Sequence, residues 1–458
     1  MLAFSVTNTK DSGTGSLRQA ISDANASTGL DIINFDGVFA DKIADTITLS
    51  GSSLQITDDL SIQGTGADLL TINGDHTSSV FEVSNGLSVE IAGLTVTNGY
   101  SSNLSGGIVN NGTLTLLNSA INNNFGYFGS GIYNSGSLTL LDSSINENLG
   151  YKGSGVYNSG TLTVQDSTVS KNYTQSDGSA GGIYNSGTLT VKGSTISDNV
   201  VVNGEAGGIE NSGGTAIVIN STISGNHSSY SGAGVYNSGI FSVLDTTISD
   251  NQITVNNGGG GIYNSGTLTV GNSTISSNLA EAGGGIYNQG KLALNNSTIT
   301  LNTAYNYYDS GSAGGIDNSE NGTAVVKNSI IAGNFDTPDN DSTNTTNPDV
   351  VGSFSSNNYN LIGNLNGTRG FDATEQLNVD IKQVLDPSLQ INGGSVKTHA
   401  LVTGSKAINT GLNADVLTDF TDLDNDGNTT ETIPFDERGF SFNRISNGTV
   451  DIGAFETV

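Results

Sequence analysis

The sequence predicts an all-β protein, a parallel β-helix whose coils each contain three short strands. Two observations predict this fold: a sequence motif that recurs along the chain, and the alternation of apolar and polar residues inside each copy of the motif. The copies open at nine apolar residues, 24 to 30 residues apart: Ile108, Ile132, Val156, Ile183, Ile209, Val235, Ile262, Ile286 and Ile316. Self-similarity at this period is typical of a solenoid, in which each coil packs on its neighbours.

One copy shows why the chain forms strands rather than helices. From Ile183 onward the alternating runs are 183–185, 189–191 and 195–197, and each is too short for an amphipathic helix. Gly, Ser and Asp separate such runs, and these residues favour tight turns. Four side chains of this copy are predicted to point inward: Ile183, Leu189, Val191 and Ile196.

Two asparagines and a tyrosine recur at fixed positions in the copies. Asn185 ends the first run, Asn199 follows the third, and Tyr184 follows the opening Ile. Because coils stack at about 4.8 Å, equivalent amides can donate to and accept from one another along the axis. We therefore predict two asparagine ladders that satisfy buried amides, and an outer stack of tyrosine rings.

Residues 1–29 are predicted as an N-terminal cap. Ser16 can accept from the first turn of a short helix that runs from Leu17 to about Ala26, with apolar residues on one face. A cap of this kind would cover the open sheet edges of the first coil.

The solenoid is predicted over 30–410, with regular coils over about 106–334. A polar segment, 335–349, interrupts it and is predicted as a surface loop. The remainder, 411–458, is irregular and acidic, and is predicted as a C-terminal cap.

Composition excludes several classes of function. The formal net charge is −29, which argues against binding to nucleic acid or to an anionic membrane surface. The chain has no cysteine, so no disulfide framework is expected. No apolar run has the length of a membrane-spanning helix, and the first residues lead straight into a strand rather than a secretion leader. An acidic, Gly-rich, cysteine-free chain is typical of exported bacterial surface proteins, so an extracellular or cell-surface location is expected.

Several segments resemble a known family. The opening VTNTKDSGTGSLRQAISDAN, the coils GGIYNSGTLTV with STIS, and the closing THALVTGSKAINTG, DERGF and DIGAFE are similar to bacterial right-handed parallel β-helix surface proteins with a choice-of-anchor Q-type C-terminal region. The Gly-Gly-Ile and Asn-ended runs also resemble the passengers of polymorphic outer-membrane autotransporters. The resemblance spans nearly the whole chain and implies right-handed coils and a secreted or surface setting. It implies little about activity, because the family is defined by its architecture.

The length of the copies varies at one corner, between the closing Asn and the next Gly-Gly. Rings stacked along this edge would offer a platform for the faces of sugars or for a cell-surface partner. The alternative is that each ring only covers its own loop. The candidate binding residues are Phe125, Tyr127, Phe128, Tyr151, Tyr173, Tyr230, Tyr305, Tyr307 and Tyr308.

The favoured hypothesis is non-catalytic adhesion or surface presentation, and the alternative is a polysaccharide lyase or glycoside hydrolase. Hydrolysis needs two carboxylates roughly 5–10 Å apart, and Asp142 and Asp166 are the nearest candidates. Their position holds Asn or Gly in other copies, which is typical of a turn. The histidines are scattered along the chain. The arginines are Arg18, Arg369, Arg438 and Arg444, and none of them lies in the regular coils. No catalytic residue is therefore predicted.

An acidic stretch near the C-terminus predicts a calcium site. Its aspartates alternate, and Gly427 permits a sharp bend, as in the first half of a calcium-binding loop. The alternative is a solvated acidic loop. The candidate ligands are Asp422, Asp424, Asp426, Asn428 and Asp436, with Glu437 as an alternative to Asp436.

Overall fold

The computed structural model describes residues 1–255, 258–305, 312–318, 321–336, 348–366, 368–377 and 379–458, with the backbone alone at 176 and 177. The chain divides into two compact units. The first contains residues 1–204 and 208–210, and the second contains residues 205–207 and 211–458. Each unit is built of right-handed parallel β-helix coils, about 12 turns in the described chain, which confirms the predicted fold class.

A regular coil contains four strands, which we name by their order after the apolar residue that opens the copy. The first three strands are the predicted alternating runs. The fourth is an addition, and it lies at the corner where the copies vary in length. Each strand pairs in parallel with its equivalent one coil away, as Val156 does with Ile183.

The strands of the first unit fall into four sets, one for each position in the coil. First strands are Leu54–Ile56, Phe81–Val83, Ile108–Asn110, Ile132–Asn134, Val156–Asn158 and Ile183–Asn185, and the chain passes to the second unit within Ile209–Asn211. Second strands are Ala3–Val6, Asp31–Phe35, Leu60–Gln63, Ser88–Ala92, Thr113–Leu117, Ser137–Leu141, Thr161–Gln165 and Thr188–Lys192. Third strands are Asp45–Thr48, Leu70–Asn73, Thr95–Thr97, Ala120–Asn122, Ser144–Asn146, Thr168–Ser170 and Thr195–Ser197. Fourth strands are Phe125–Phe128, Leu149–Lys152, Tyr173–Ser179 and Val200–Val201.

The predicted N-terminal helix is confirmed as Leu17–Asn25. The Ser16 side chain accepts a hydrogen bond from the backbone N–H of Gln19, which caps the first turn. The apolar face of the helix is buried against the strands Ala3–Val6, Asp31–Phe35 and Leu54–Ile56. A short 3₁₀ helix, Gly37–Ala40, follows.

The second unit repeats the same sets. First strands are Val235–Asn237, Ile262–Asn264, Ile286–Asn288 and Ile316–Asn318. Second strands are Thr215–Ile219, Ile240–Leu244, Thr267–Gly271, Lys291–Asn295 and Thr323–Lys327, and Val350–Ser356 pairs with both sets. Third strands are Thr222–Ser224, Thr247–Ser249, Thr274–Ser276, Thr298–Thr300, Ile330–Ile331 and Leu361–Ile362. Fourth strands are His227–Ser228, Gln252–Ile253, Leu279–Ala280, Thr303–Ala304 and Phe335–Asp336, and Thr368–Arg369 pairs with Val350–Ser356. Most of the predicted surface loop, 337–347, lies outside the described residues.

The interior of the coils is as the repeat predicts. Ile183, Leu189, Val191 and Ile196 are fully buried. Both asparagine ladders are confirmed, since the Asn158 amide donates to Asn185 at 2.7 Å and Asn172 donates to Asn199 at 2.9 Å. Equivalent amides in the second unit bond in the same way, as Asn264 does to Asn288 at 2.7 Å.

The last part of the chain, which we call the C-terminal block (residues 371–377 and 379–458), contains few regular elements. It has the 3₁₀ helices Ala373–Glu375, Ile381–Gln383 and Asn413–Asp415, and an antiparallel pair, Gln390–Ile391 with Lys397–Thr398. Its hydrogen bonds reach coils of the second unit from Asn220 to Asn328. The predicted cap, 411–458, lies along the side of several coils, where the Leu412 carbonyl accepts from Asn328 and Glu437 accepts from the backbone N–H of Thr274.

The part of the chain that the structure describes contains no helix with the length and apolar character needed to cross a membrane.

Candidate functional site

A row of outward side chains runs along the fourth strands of the first unit. Tyr100 lies opposite Phe125, Phe125 opposite Leu149, and Leu149 opposite Tyr173. The rings of Tyr100 and Phe125 are stacked, with centroids 5.4 Å apart and planes within 9°. We call these four residues, of which three are aromatic and Leu149 is aliphatic, the ring row. The parallel register creates the row, because equivalent positions of successive coils lie above one another.

A second row lies at the turn that precedes the fourth strand. His76, Asn98, Asn123, Glu147 and Lys171 occupy this turn in successive coils, with φ between 53° and 56°. The left-handed backbone turns the chain sharply, and at Asn123, Glu147 and Lys171 it does so just before the buried asparagine ladder. All of these side chains are exposed or half-exposed. We call these five residues the polar turn row.

The two rows enclose a groove on the surface of the first unit. Its volume is about 460 Å³, and it is lined by Tyr100, Phe125 and Leu149 from the ring row and by the polar turn row from His76 to Glu147. Glu147 is the one carboxylate in this lining. An arrangement of ring faces opposite amide, imidazole and carboxylate groups suits a flat ligand that carries hydroxyl groups.

Aromatic contacts continue beyond the groove. Tyr127 stacks on Tyr151 at 5.4 Å, and it meets Phe128 edge-on at 4.8 Å. Phe128 in turn contacts Tyr157, which belongs to the predicted outer stack of tyrosines. That stack is present in the first unit as Tyr133, Tyr157 and Tyr184, and in the second unit as Tyr236, Tyr263 and Tyr287.

The predicted binding residues therefore separate into groups. The first unit brings together Phe125, Tyr127, Phe128 and Tyr151, and Tyr173 continues the ring row. In the second unit Tyr230 is 38% exposed, whereas Tyr305 is buried and its hydroxyl donates to the carbonyl of Ile253 at 3.2 Å. Tyr307 and Tyr308 lie outside the described residues.

Tyr100 and the polar turn row are not among the binding residues that the sequence predicts. Tyr100 precedes the regular copies, so the repeat alignment did not include it. The polar turn row varies in residue type from coil to coil. Asn123, Glu147 and Lys171 stand directly before a ladder asparagine, whereas Thr77 follows His76 and Gly99 follows Asn98, so the row has no common sequence signal.

The two carboxylates considered for hydrolysis, which the sequence favours as turn residues, lie at another turn of the first unit. Asp142 and Asp166 both have φ of 49°, as expected of turn-forming residues, and both are exposed. Each is equivalent to Asp245 of the second unit, which has φ of 47°.

The acidic loop of the second unit gathers carboxylates in two overlapping groups. Oxygen atoms of Asp422, Asp424 and Asp426 lie within 4.8 Å of one another, and so do those of Asp419, Asp424 and Glu431. Partial burial, together with the charges of Asp426 and Asp424, raises the pKa of Glu431. Carboxylate oxygens at this density match the ligand preference of Ca²⁺.

Two predicted calcium ligands have other partners. The amide of Asn428 donates to Glu431 at 3.2 Å, while its oxygen accepts from the N–H of Thr430. Asp436 is fully buried and forms an ion pair with Arg438 at 2.6 Å, so it does not belong to either group. Asp419 and Glu431 were missed, because they lie outside the alternating run.

A buried polar network attaches the C-terminal block to the coils. Arg444 is fully buried and donates to Asn272 at 2.7 Å and to Glu456 at 2.9 Å. Glu437 accepts from the backbone N–H of Thr274 at 2.9 Å. These contacts give the DERGF and DIGAFE segments a structural role, since they contain Glu437 and Glu456.

Two carboxyls of this network have altered acidity. Burial raises the pKa of Asp245 to about 7, and the charge of Asp436 acts in the same direction. Burial also raises the pKa of Glu437 well above its usual value. Both groups therefore hold their protons at a pH where exposed carboxyls are ionised.

Comparisons with known proteins show likenesses of structure only. No family model matches the chain, and no curated protein matches it. The pectate lyase Pel9A is similar over 100% of this chain and 97% of its own, with 13% identity and a TM-score of 0.39. The A-module of the mannuronan C-5 epimerase AlgE4 of Azotobacter vinelandii covers 77% of this chain and 91% of its own, with 12% identity and a TM-score of 0.35. Both likenesses are too weak to say what this chain does.

Proposed function

We propose that this protein binds carbohydrate, without turning it over, through the groove of its first unit. The observation that carries the proposal is the pair of parallel rows, one of ring faces and one of amide and charged side chains. Aromatic faces pack against the C–H faces of sugars, while amides and carboxylates bond their hydroxyls.

We propose a secreted or cell-surface setting, in which this binding serves adhesion or presentation. The acidic, cysteine-free composition and the resemblance of the closing segments to choice-of-anchor Q-type proteins support this setting. A short stack of coils in each unit is a rigid support for a binding edge, because every coil is fixed by its neighbours.

A polysaccharide lyase or glycoside hydrolase is the second candidate. One observation favours it: His76 and Glu147, a histidine and a carboxylate, line the same groove. Side chains of these two types are the commonest general acids and bases.

The two functions are separated by one set of measurements. A glycan array with the intact protein identifies ligands, and assays for new reducing ends and for unsaturated uronates then test turnover of each ligand. Binding that is lost in Phe125→Ala and retained in Tyr230→Ala supports the proposal, because Tyr230 is an exposed ring of the second unit. Turnover that disappears in Glu147→Gln supports the enzyme and contradicts the non-catalytic proposal.

We also propose that the acidic loop binds Ca²⁺ through Asp424, which belongs to both carboxylate groups. At a calcium concentration about 100 times the dissociation constant, a site present only in the folded protein adds about 2.7 kcal/mol to the free energy of unfolding. Calorimetry with and without chelator measures this gain. Asp424→Asn should remove it, and Asp250→Asn, an exposed turn residue of the same unit, should not. An unchanged melting temperature after chelation would eliminate the site.

A further inference from the structure

We propose that the ligand of the groove is an uncharged polysaccharide that runs parallel to the coil axis, with about one sugar unit for each coil. This inference rests on the proposed function. It concerns the direction, spacing and charge of the ligand.

The direction follows from the two rows. Both rows advance by one residue for each coil, at a spacing of about 4.8 Å. A chain laid along the axis would therefore meet one member of each row in every coil, whereas a chain laid across the coils would meet a single pair. The length of one pyranose unit in an extended polysaccharide is close to this spacing, so successive sugars fall into equivalent positions.

The extent of the path follows from the same register. Asn98 and Tyr100, then Asn123 and Phe125, provide two positions with a ring on one side and an amide on the other. The next coil contributes Glu147 and Leu149, and the coil after it contributes Lys171 and Tyr173. Leu149 thus interrupts a row of rings and marks a position of weaker stacking.

The charge of the ligand follows from the acidic character of the first unit and from the groove lining, which contains Glu147 but neither Lys nor Arg. Between Lys42 and Lys152 the sequence contains neither Lys nor Arg, and the whole groove lining lies in this stretch. The first unit has 6 basic and 18 acidic residues. A polyuronate carries one negative charge on each sugar and would meet Glu147 and the net negative charge of the unit. Lys171, at the far end of the polar turn row, pairs with at most one of those charges, so the potential of the unit disfavours a polyanion.

The test compares uncharged and anionic polymers on the intact protein. Affinity electrophoresis and calorimetry are run with xyloglucan, galactomannan and mixed-linkage glucan on one side, and with polygalacturonate and alginate on the other, in chelator and at two salt concentrations. We expect an uncharged polymer to bind with little dependence on salt. Phe125→Ala should weaken binding about tenfold, and Leu149→Tyr, which completes the ring row, should strengthen it a few-fold.

Each outcome has one meaning. If a polyuronate binds and Phe125→Ala abolishes that binding, the groove takes carbohydrate but the inferred ligand is wrong. If neither class of polymer binds, both the inference and the proposed function are wrong. If an uncharged polymer binds and Leu149→Tyr weakens it, the axial path is wrong. Tyr230→Ala is the control, and equal melting temperatures of all variants show that each is folded.

Discussion

The third strands of the two units carry the same residues but have different surroundings. In the first unit Thr195 and Ser197 are half-exposed on the outer face of their strand. In the second unit Thr274 and Ser276 occupy the same positions and are fully buried. The difference arises from the C-terminal block, which covers the second pair. The same outward residues of a third strand are therefore compatible with either environment. Whether they are exposed to solvent depends on a distant segment of the chain.

In the second unit, the outer face of the third strands binds the C-terminal block through hydroxyl groups of the same kind as those on the equivalent face of the first unit. Thr247 donates to the carbonyl of Lys397 at 2.6 Å, Ser276 bonds to His399 at 2.9 Å, and Thr298 accepts from the N–H of Ala454 at 3.1 Å. The second unit thus uses its hydroxyl groups to bind its own chain. In the first unit the equivalent residues of two strands, Thr168–Ser170 and Thr195–Ser197, keep their outward side chains half-exposed.

The largest effect is expected from Arg444→Met, which tests what holds the block on the second unit. The variant leaves Glu456 buried without its guanidinium partner, and loss of one member of a buried pair costs about 3–5 kcal/mol. Urea unfolding and the rate of proteolysis of the block measure the loss. Lys327→Met removes a partly exposed pair with Asp415 and should cost about 0–1 kcal/mol. Equal losses in the two variants would contradict a buried anchor at Arg444.

The next effect compares one turn position in the two units. Asp245 has an ordinary pKa of 3.8 and a folded pKa of about 7, so the folded protein keeps a proton that the unfolded chain releases. The contribution of Asp245 to the free energy of unfolding should therefore fall as the pH rises from 3.8 to about 7, by at most about 1.4 kcal/mol per pH unit, and Glu437 adds to this fall. Asp245→Asn should reduce the slope, with Glu437 responsible for the remainder.

Unfolding in urea at a series of pH values measures this slope. The control is Asp142→Asn, since Asp142 has the same turn conformation in the first unit but is exposed. A slope that changes equally in both variants would mean that burial at Asp245 does not control its acidity.

The smallest effect is expected from the threonine at the start of the third strand, which recurs in most copies of the repeat. Thr274→Val removes the hydroxyl hydrogen bond to Glu437, keeps the backbone one, and leaves a buried carboxyl oxygen short of a partner, which costs about 1–3 kcal/mol. Thr195→Val makes the same change on the open face and should stay within about 0.5 kcal/mol. Thermal unfolding of the two variants gives the comparison. Similar losses would show that the strand, rather than its cover, sets the requirement for threonine.

Much of the candidate site could be predicted because it follows from stacking. The alignment of copies was sufficient to place Phe125 above or below the equivalent residue of the next coil. It could not find Tyr100, which lies in an irregular coil, or identify the polar turn row, whose members share a backbone conformation rather than a side chain. Nor could it place Asp436, because the sequence does not reveal that this carboxylate, which lies beyond the alternating run, pairs with Arg438.

The sequence by itself determined the interior of this protein. Period-two alternation fixes which side chains face inward, and identical residues at a constant period must stack, so the buried Ile183 and the amide of Asn185 follow from local pattern alone. Only the tertiary structure decided the exterior. Whether a threonine or an aspartate at a given outward position is exposed depends on chain segments more than a hundred residues away, and no local pattern records where such a segment packs.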